Sequence, residues 1–315
     1  MCGISGIISR INPGDRAVVE SMNAIQAHRG PDMDKVCEYN EAVLGHRRLS
    51  IIDLDDRSSQ PMESRDGRYA IVFNGEIYNY KEIKSELLKD YYFKTESDTE
   101  VLLASFITWG KECLTRFVGM FAFCIYDTLN KEAFLARDHF GQKPIFLYQE
   151  SDRLIFSSEI KAILATGVKP IPDYETWSRY LISASYDDDS ATFFKGISQL
   201  IPGEYAIWDM QKGLRKYKYY SLSRDIGNNK SDIVEVAHMT RELLVHSAKI
   251  HMRSDVPVGV SLSGGLDSSV LLACLNLSGD INKHLRCVSL EYADSLSESM
   301  WIEAAASHHG LKSTL

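Results

Sequence analysis

Residues 120–157 read MFAFCIYDTLNKEAFLARDHFGQKPIFLYQESDRLIFS. Four apolar or alternating runs stand out in it, Met120–Asp127, Glu132–Arg137, Pro144–Gln149 and Leu154–Ser157. Polar clusters and Gly/Pro steps separate them, so the stretch predicts four short strands joined by turns. Before it, residues 3–9 predict a short buried strand, and 15–28 a helix with Val18, Val19, Met22 and Ile25 on one side. Val43–Ile52 and Tyr69–Phe73 are strand-like, and Asn74-Gly75 follows directly, as a tight turn would. A short helix is predicted over 80–90. Ser97 and Asp98 are N-cap candidates for a helix over 99–115, with Glu100 near its positive end. After the strand-rich stretch come a helix over 174–184, a polar loop at 185–192, and a Pro-Gly turn leading into a strand within Leu200–Trp208. Strands and helices mixed in this way predict a layered α/β or α+β domain over residues 1–210.

Residues 211–232, most polar over 221–232, are read as a linker, and 233–315 as a second domain. A helix over about 232–252 opens that domain. Val256–Leu262 follows as a buried parallel strand, then a Gly turn, a helix at 267–278, a strand at Arg286–Tyr292 and a helix at 297–310. This is the opening of a doubly wound α/β sheet, left incomplete, since open sheets usually hold about four to six strands.

Composition narrows the function. The net charge of −8 argues against nucleic acid as a partner, because a phosphate backbone needs a basic footprint. The six cysteines form no Cys-x-x-Cys pair, so a zinc ribbon is not expected. A chain of 315 residues has core enough without disulfides, and reduced thiols in a cytoplasmic protein fit best. The N-terminus lacks the basic-then-apolar pattern of a signal peptide, and no apolar run approaches the roughly 18–20 residues of a membrane span.

Cys2 follows the initiator Met. Removal of Met1 would leave a thiol and a free α-amine on one residue, so that the nucleophile carries its own base. Alone, Cys2 is weak evidence. Its context is not: Cys2-Gly3-Ile4, His28-Arg29-Gly30-Pro31-Asp32, His46-Arg47-Arg48-Leu49-Ser50-Ile51, Asn74-Gly75-Glu76-Ile77-Tyr78-Asn79, Ser97-Asp98-Thr99-Glu100, Gly119-Met120-Phe121-Ala122-Phe123 and Arg137-Asp138-His139-Phe140-Gly141-Gln142-Lys143-Pro144 occur in that order. Together they resemble the class II glutamine amidotransferases, a branch of the N-terminal-nucleophile hydrolases, over nearly all of residues 2–205. The resemblance implies an α+β domain of four layers, αββα.

It also implies roles. Cys2 would attack the glutamine amide, and Asn74 and Gly75 would donate to the oxyanion that forms. Arg48 would hold the substrate α-carboxylate as a bidentate fork, and Asp98 its ammonium. Leu49, Ser50, Ile51, Ile52 and Glu76 would complete the glutamine pocket. Thioester formation and hydrolysis need no metal or cofactor. Plainer readings exist for each residue: an Asn-Gly hairpin turn, a surface arginine, a helix cap. The Arg137–Pro144 block and His28, His46 and His139 are read as structural.

In the second domain, Ser263-Gly264-Gly265-Leu266-Asp267-Ser268-Ser269 sits between a predicted strand and helix and lacks the Gly-Lys-Ser/Thr of a Walker loop. It resembles the pyrophosphate loop of ATP pyrophosphatases of the adenine nucleotide α-hydrolase-like class. With Ser254-Asp255-Val256-Pro257-Val258-Gly259 it is similar to the synthetase half of glutamine-hydrolysing asparagine synthetases. The resemblance implies that Ser263, Gly264, Gly265, Asp267, Ser268 and Ser269 hold ATP phosphates, with Asp267 near Mg²⁺, and that Leu262 and Leu290 contact the nucleotide. The family uses ATP to convert aspartate to β-aspartyl-AMP with release of pyrophosphate, and ammonia then displaces AMP to give asparagine. Glutamine, aspartate and ATP are then the expected small-molecule partners, with no nucleic acid and no membrane, and the resemblance allows a homodimer. The family continues well beyond residue 315, so full synthesis is not expected of this polypeptide alone. Two other readings stay open: a glutaminase feeding a partner or amidating another carboxylate, and a non-catalytic fragment.

Overall fold

Alternating apolar residues along a strand bury one face, and a sheet buried on both faces must be covered twice. The computed structural model, which describes residues 1–9, 15–150, 152–222, 232–281, 285–290 and 298–314, applies this rule to two sheets at once. The chain divides into two compact units, Met1–Ser223 and Arg224–Leu315. In the first, the elements run β1 Gly3–Ile8, α1 Asp15–Ile25, β2 Met33–Tyr39, β3 Ala42–Arg48, β4 Met62–Glu63, β5 Tyr69–Ile77, α2 Tyr80–Leu87, α3 Asp98–Trp109, β6 Gly119–Asp127, β7 Glu132–Arg137, β8 Phe146–Gln149 and β9 Leu154–Ser157. They continue with α4 Ile160–Leu164, α5 Tyr174–Ser183, β10 Ile197–Gln199, β11 Glu204–Asp209 and β12 Gly213–Lys218.

The strands form two antiparallel sheets, ordered β10-β8-β9-β1-β3-β2 and β12-β11-β7-β6-β5-β4. Ile4, Ile8, Leu44 and Phe156 of the first sheet meet Val72, Cys124, Leu135 and Trp208 of the second in one core. The opposite face of the first sheet, with Ile7, Val43 and Ile155, packs on Val19 and Met22 of α1 and Ile163 of α4. The opposite face of the second, with Ile71, Phe73, Phe121 and Phe123, packs on Ile83 and Leu87 of α2 and Val101, Leu102 and Leu103 of α3. The unit is therefore αββα in four layers, as the resemblance implies.

Four details depart from the sequence reading. First, β5 does not stop at Phe73. Asn74 and Gly75 lie in mid-strand, paired with Ala122 and Phe121 of β6, and neither has a positive φ. The glycine serves close approach, not a turn: a Cβ there would lie 2.1 Å from the Met120 carbonyl oxygen. Second, β2 is an edge strand whose Asp34, Lys35 and Glu38 obscure its alternation. Third, β12 occupies 213–218, inside the stretch read as linker. It returns on β11 through a hairpin closed by Gly213 at φ 65°. Fourth, Ile25 is exposed, because α1 ends there and Gln26, in the turn that follows, is buried instead.

The second unit comprises α6 Ile233–His251, β13 Gly259–Ser261, α7 Leu266–Ser278, β14 Arg286–Val288, α8 Ser299–His308 and β15 Ser313–Thr314. Its three strands are parallel, in the order β13-β14-β15, and shorter than expected. Residues 291 and 292, expected to end the second strand, lie outside the described residues, as do residues 223–231 of the expected linker. Val260, Leu262 and Cys287 pack against Ala248 of α6, Leu272 and Leu275 of α7 and Ile302 of α8. Among the described residues, no helix is long and apolar enough to cross a membrane.

Candidate active site

Strand parity gathers the site. Cys2, one residue before β1, continues the parity of Ile4 and Ile8, which face the gap between the sheets. Arg48 follows Ala42 and Leu44 on β3, and Asn74 and Glu76 follow Ala70 and Val72 on β5. All four are thus directed toward one end of the inter-sheet layer. There a small cleft is lined by Cys2, Arg48, Leu49, Ile51, Ile52, Ser58, Gln60, Phe73, Gly75, Glu76, Ser97, Asp98 and Thr99.

Cys2 is anchored from both sides. Its carbonyl accepts from Arg29 Nε at 2.9 Å, and Arg29 pairs through Nη1 with Glu159 at 3.1 Å. Its sulfur accepts from the Leu49 N–H at 3.4 Å. Burial pushes the thiol up, against the pull of the Leu49 N–H and the terminal ammonium. Burial holds the neighbouring Met1 α-amine below its usual range; Cys2 opposes this, while Lys143 and Arg29 add to it. Both shifts disfavour proton transfer from the thiol to this amine, which removal of Met1 would replace with the amine of Cys2 itself.

The rest of the cleft is charged on both signs. Arg48 is buried, and its guanidinium donates to the carbonyls of Asp55, at 3.0 Å, and Asp53. Asp98 is buried at the start of α3, where Oδ2 accepts from the Ile77 N–H at 3.0 Å. Burial raises it to about 6, opposed by that N–H. Glu76 is pushed up to about 8 by burial and by Asp98, against Lys143. A cation and two carboxyls in one small cleft are complementary to an amino-acid zwitterion.

The edge of β5 supplies the remaining donors. Residues 69, 71, 73, 75 and 77 turn their backbone polar groups away from β6, as the bond from the Ser64 N–H to the Tyr69 carbonyl marks. The Phe73 N–H goes to Gln60 Oε1 at 2.6 Å and the Ile77 N–H to Asp98. The Gly75 N–H between them points into the cleft that Gly75 lines. Beside it the Asn74 carboxamide is buried with neither its nitrogen nor its oxygen hydrogen-bonded. A buried amide without a partner costs about 1–3 kcal/mol and calls for an explanation.

Of the residues expected for this site, Cys2, Arg48, Leu49, Ile51, Ile52, Gly75, Glu76 and Asp98 line the cleft, and Asn74 adjoins it. Ser50 does not line it; its N–H donates to Asp32 Oδ2 at 2.7 Å. Sequence reasoning missed Ser58, Gln60, Phe73, Ser97 and Thr99. Ser97 was read as a cap, and it does accept from the Thr99 N–H at 3.1 Å. Lys143 was also passed over, though it is buried and acts electrostatically on Cys2 and Glu76. The rest of its block is structural: Arg137 donates to the carbonyls of Gly141, Lys143 and Leu200, and Asp138 accepts from the N–H groups of Phe140, Gln142 and Lys143. His28 pairs with Glu159, and His46, held neutral by burial with its pKa lowered to about 3, bonds the Phe73 carbonyl. His139 packs edge-on against Phe121, Tyr219 and Tyr220.

In the second unit, Ser263–Gly265 joins β13 to α7. Gly264 has φ 76°, and Gly265 caps the helix with no side chain bonded to the first turn. Ser263, Ser268 and Ser269 bond one another or the Gly265 carbonyl, and Asp267 lies in that first turn. N–H groups of a helix's first turn and clustered hydroxyls, with one carboxylate, fit a polyphosphate with its cation. Leu262 is buried in the core, whereas Leu290 is exposed.

Comparison with known proteins agrees with this geometry. Residues 1–220 match the glutamine amidotransferase domain family and residues 239–315 the asparagine synthase family. A putative glutamine-hydrolysing asparagine synthetase of Methanocaldococcus jannaschii is 35% identical over 96% of this chain and 62% of its own length. Asparagine synthetase 1 of Bacillus subtilis is 34% identical over 87% of this chain and 43% of its own. The chain thus spans less than two thirds of either relative. In fold it is similar to the glutamine phosphoribosylpyrophosphate amidotransferase of B. subtilis, with TM-score 0.51 and 19% identity over 89% of this chain and 64% of that one. Since the first match takes in both sheets and every residue lining the cleft, the chain belongs to the glutamine amidotransferase family, and residues 239–315 are similar to the asparagine synthase family.

Proposed function

We propose that the first unit hydrolyses glutamine to glutamate and ammonia, with Cys2 as nucleophile once Met1 is removed. The observation that carries this reading is the single cleft in which a thiol meets a cation, two carboxyls and outward N–H donors. Arg48 takes the substrate α-carboxylate and Asp98 its ammonium, with Glu76 beside them. Leu49, Ile51 and Ile52 flank the aliphatic chain, and Ser50 holds the loop to Asp32. The Cys2 amine removes the thiol proton as sulfur attacks the amide carbon. The Asn74 carboxamide and the Gly75 N–H receive the oxyanion. The same amine passes its proton to the leaving ammonia, which leaves a thioester that water hydrolyses to glutamate.

The ammonia then serves ATP-dependent amidation of aspartate, the reaction for which the M. jannaschii and B. subtilis relatives are named. Here Ser263, Gly264, Gly265, Ser268 and Ser269 would hold ATP phosphates, and Asp267 would face Mg²⁺; bound ATP supplies activation of the acceptor carboxylate. Leu290 lies at the surface, where it would meet the nucleotide, whereas the Leu262 side chain is packed in the core and leaves only its backbone for such a contact. The nucleophile requires a reducing compartment, and the six cysteines are free. The test is steady-state glutamate release by the processed chain. Loss of that release in Cys2→Ala supports the proposal, and an unchanged rate refutes it.

A further inference from the structure

β4 is only two residues long, Met62 and Glu63 paired with Ile71 and Ala70. Extended by its own register, it would set Pro61 opposite Val72 and Gln60 opposite Phe73. The paired strand ends before both, at Met62. The Gln60 side chain replaces the lost strand. Oε1 accepts from the Phe73 N–H at 2.6 Å, and Nε2 donates to Thr99 Oγ1, in the first turn of α3, at 3.1 Å. Two residues before the site the edge of β5 is thus tied to α3 by Gln60; two residues after it, by Asp98 to the Ile77 N–H at 3.0 Å. Gln60, Asp98 and Thr99 are all buried.

We infer that Gln60 is a positioning residue, which by claiming the Phe73 N–H fixes the edge of β5 so that Gly75 presents its donor to the reacting carbonyl. The inference rests on the glutaminase reading and adds to it a residue that never touches glutamine's reacting atoms. Without Gln60, the Phe73 N–H becomes a buried donor seeking an acceptor, one residue from Asn74 and two from Gly75. A shift of the edge by about 1 Å can cost roughly a hundredfold in rate.

The test uses the processed full-length chain with Gln60→Leu, which removes both bonds at nearly constant shape, and Gln60→Glu, whose carboxylic acid form reproduces both. Three quantities are measured: kcat and KM for glutamate release, affinity for glutamate, and affinity for the aldehyde analogue of glutamine. The Cys2 thiol adds to the aldehyde carbon, a C–S bond forms, and the oxygen takes up the negative charge or the thiol proton, so its affinity reports on the oxyanion donors. Expected for Gln60→Leu is a kcat about 10- to 100-fold lower and a similar loss of aldehyde affinity, with KM and glutamate affinity within about threefold of the unmodified chain. Gln60→Glu recovers most of kcat. Thr99→Val, which frees only the far end of the bridge, shows a smaller fall of the same kind and stands in if Gln60→Leu does not fold. Wild-type kcat in Gln60→Leu or Thr99→Val, or equal losses for aldehyde and glutamate, overturn this inference alone. An unmodified chain with no Cys2-dependent glutamate release overturns both it and the glutaminase reading.

Discussion

Replacing Asn74 by alanine separates catalysis from stability, because the two should move in opposite directions. The carboxamide is buried and unpartnered in the free protein. If it awaits an oxyanion, its removal costs about 2.7–4 kcal/mol in the transition state, a fall in kcat of roughly 10²–10³. KM should change little, since the ground-state carbonyl asks less of the donor. The fold should not suffer. A void of roughly 40 Å³ costs about 1 kcal/mol at about 24 cal/mol per Å³. Against that, removing an unsatisfied buried amide returns about 1–3 kcal/mol. The balance lies between roughly zero and 2 kcal/mol in favour of the native state. For a unit the size of Met1–Ser223, 1 kcal/mol is about 2–4 °C, so Tm holds or rises by a few degrees. Glutamate release and thermal melting of the same preparation decide it. A kcat within about threefold of wild type removes Asn74 from the oxyanion site. A Tm lower by more than about 5 °C means that the amide was paired after all.

Asp98→Asn should raise KM for glutamine by about 2–5 kcal/mol equivalent, roughly 30-fold or more, with a smaller effect on kcat. In the unmodified protein Asp98 keeps its proton to about pH 6, so glutamine affinity should improve as pH rises through 6 and level off above it; a flat profile refutes the assignment. Glu76 is raised to about 8, so between the ordinary carboxylate range and pH 8 the folded state binds more protons than the unfolded one. Stability must then fall as pH rises across that window, and Glu76→Gln should flatten the fall in Tm against pH. Gly75→Ala drives a Cβ to within 2.1 Å of the Met120 carbonyl and should destabilise the first unit by about 3 kcal/mol or more, seen as a lower denaturation midpoint.

The strands and helices of the first unit were legible because one-sided burial writes a period into the sequence. β7 and β9 appear at the expected residues, and β6 and α5 within one or two. β2 and β12 were not legible, since edge strands carry charge where a period would otherwise show. Asn74-Gly75 was legible as chemistry and misread as geometry. A local reading takes glycine after asparagine as a turn, whereas here the glycine answers to Met120, 45 positions away. Cys2, Arg48, Glu76 and Asp98 could be named from motifs, because the types of group that bind a zwitterion are few. Which N–H of β5 stays open, that Gln60 closes its neighbour, that Asn74 has no partner and that Asp98 and Glu76 hold their protons high were decided only by tertiary structure. Each depends on what surrounds a group in three dimensions: burial sets the proton affinity and a distant side chain sets the donor, and neither leaves a trace in local sequence.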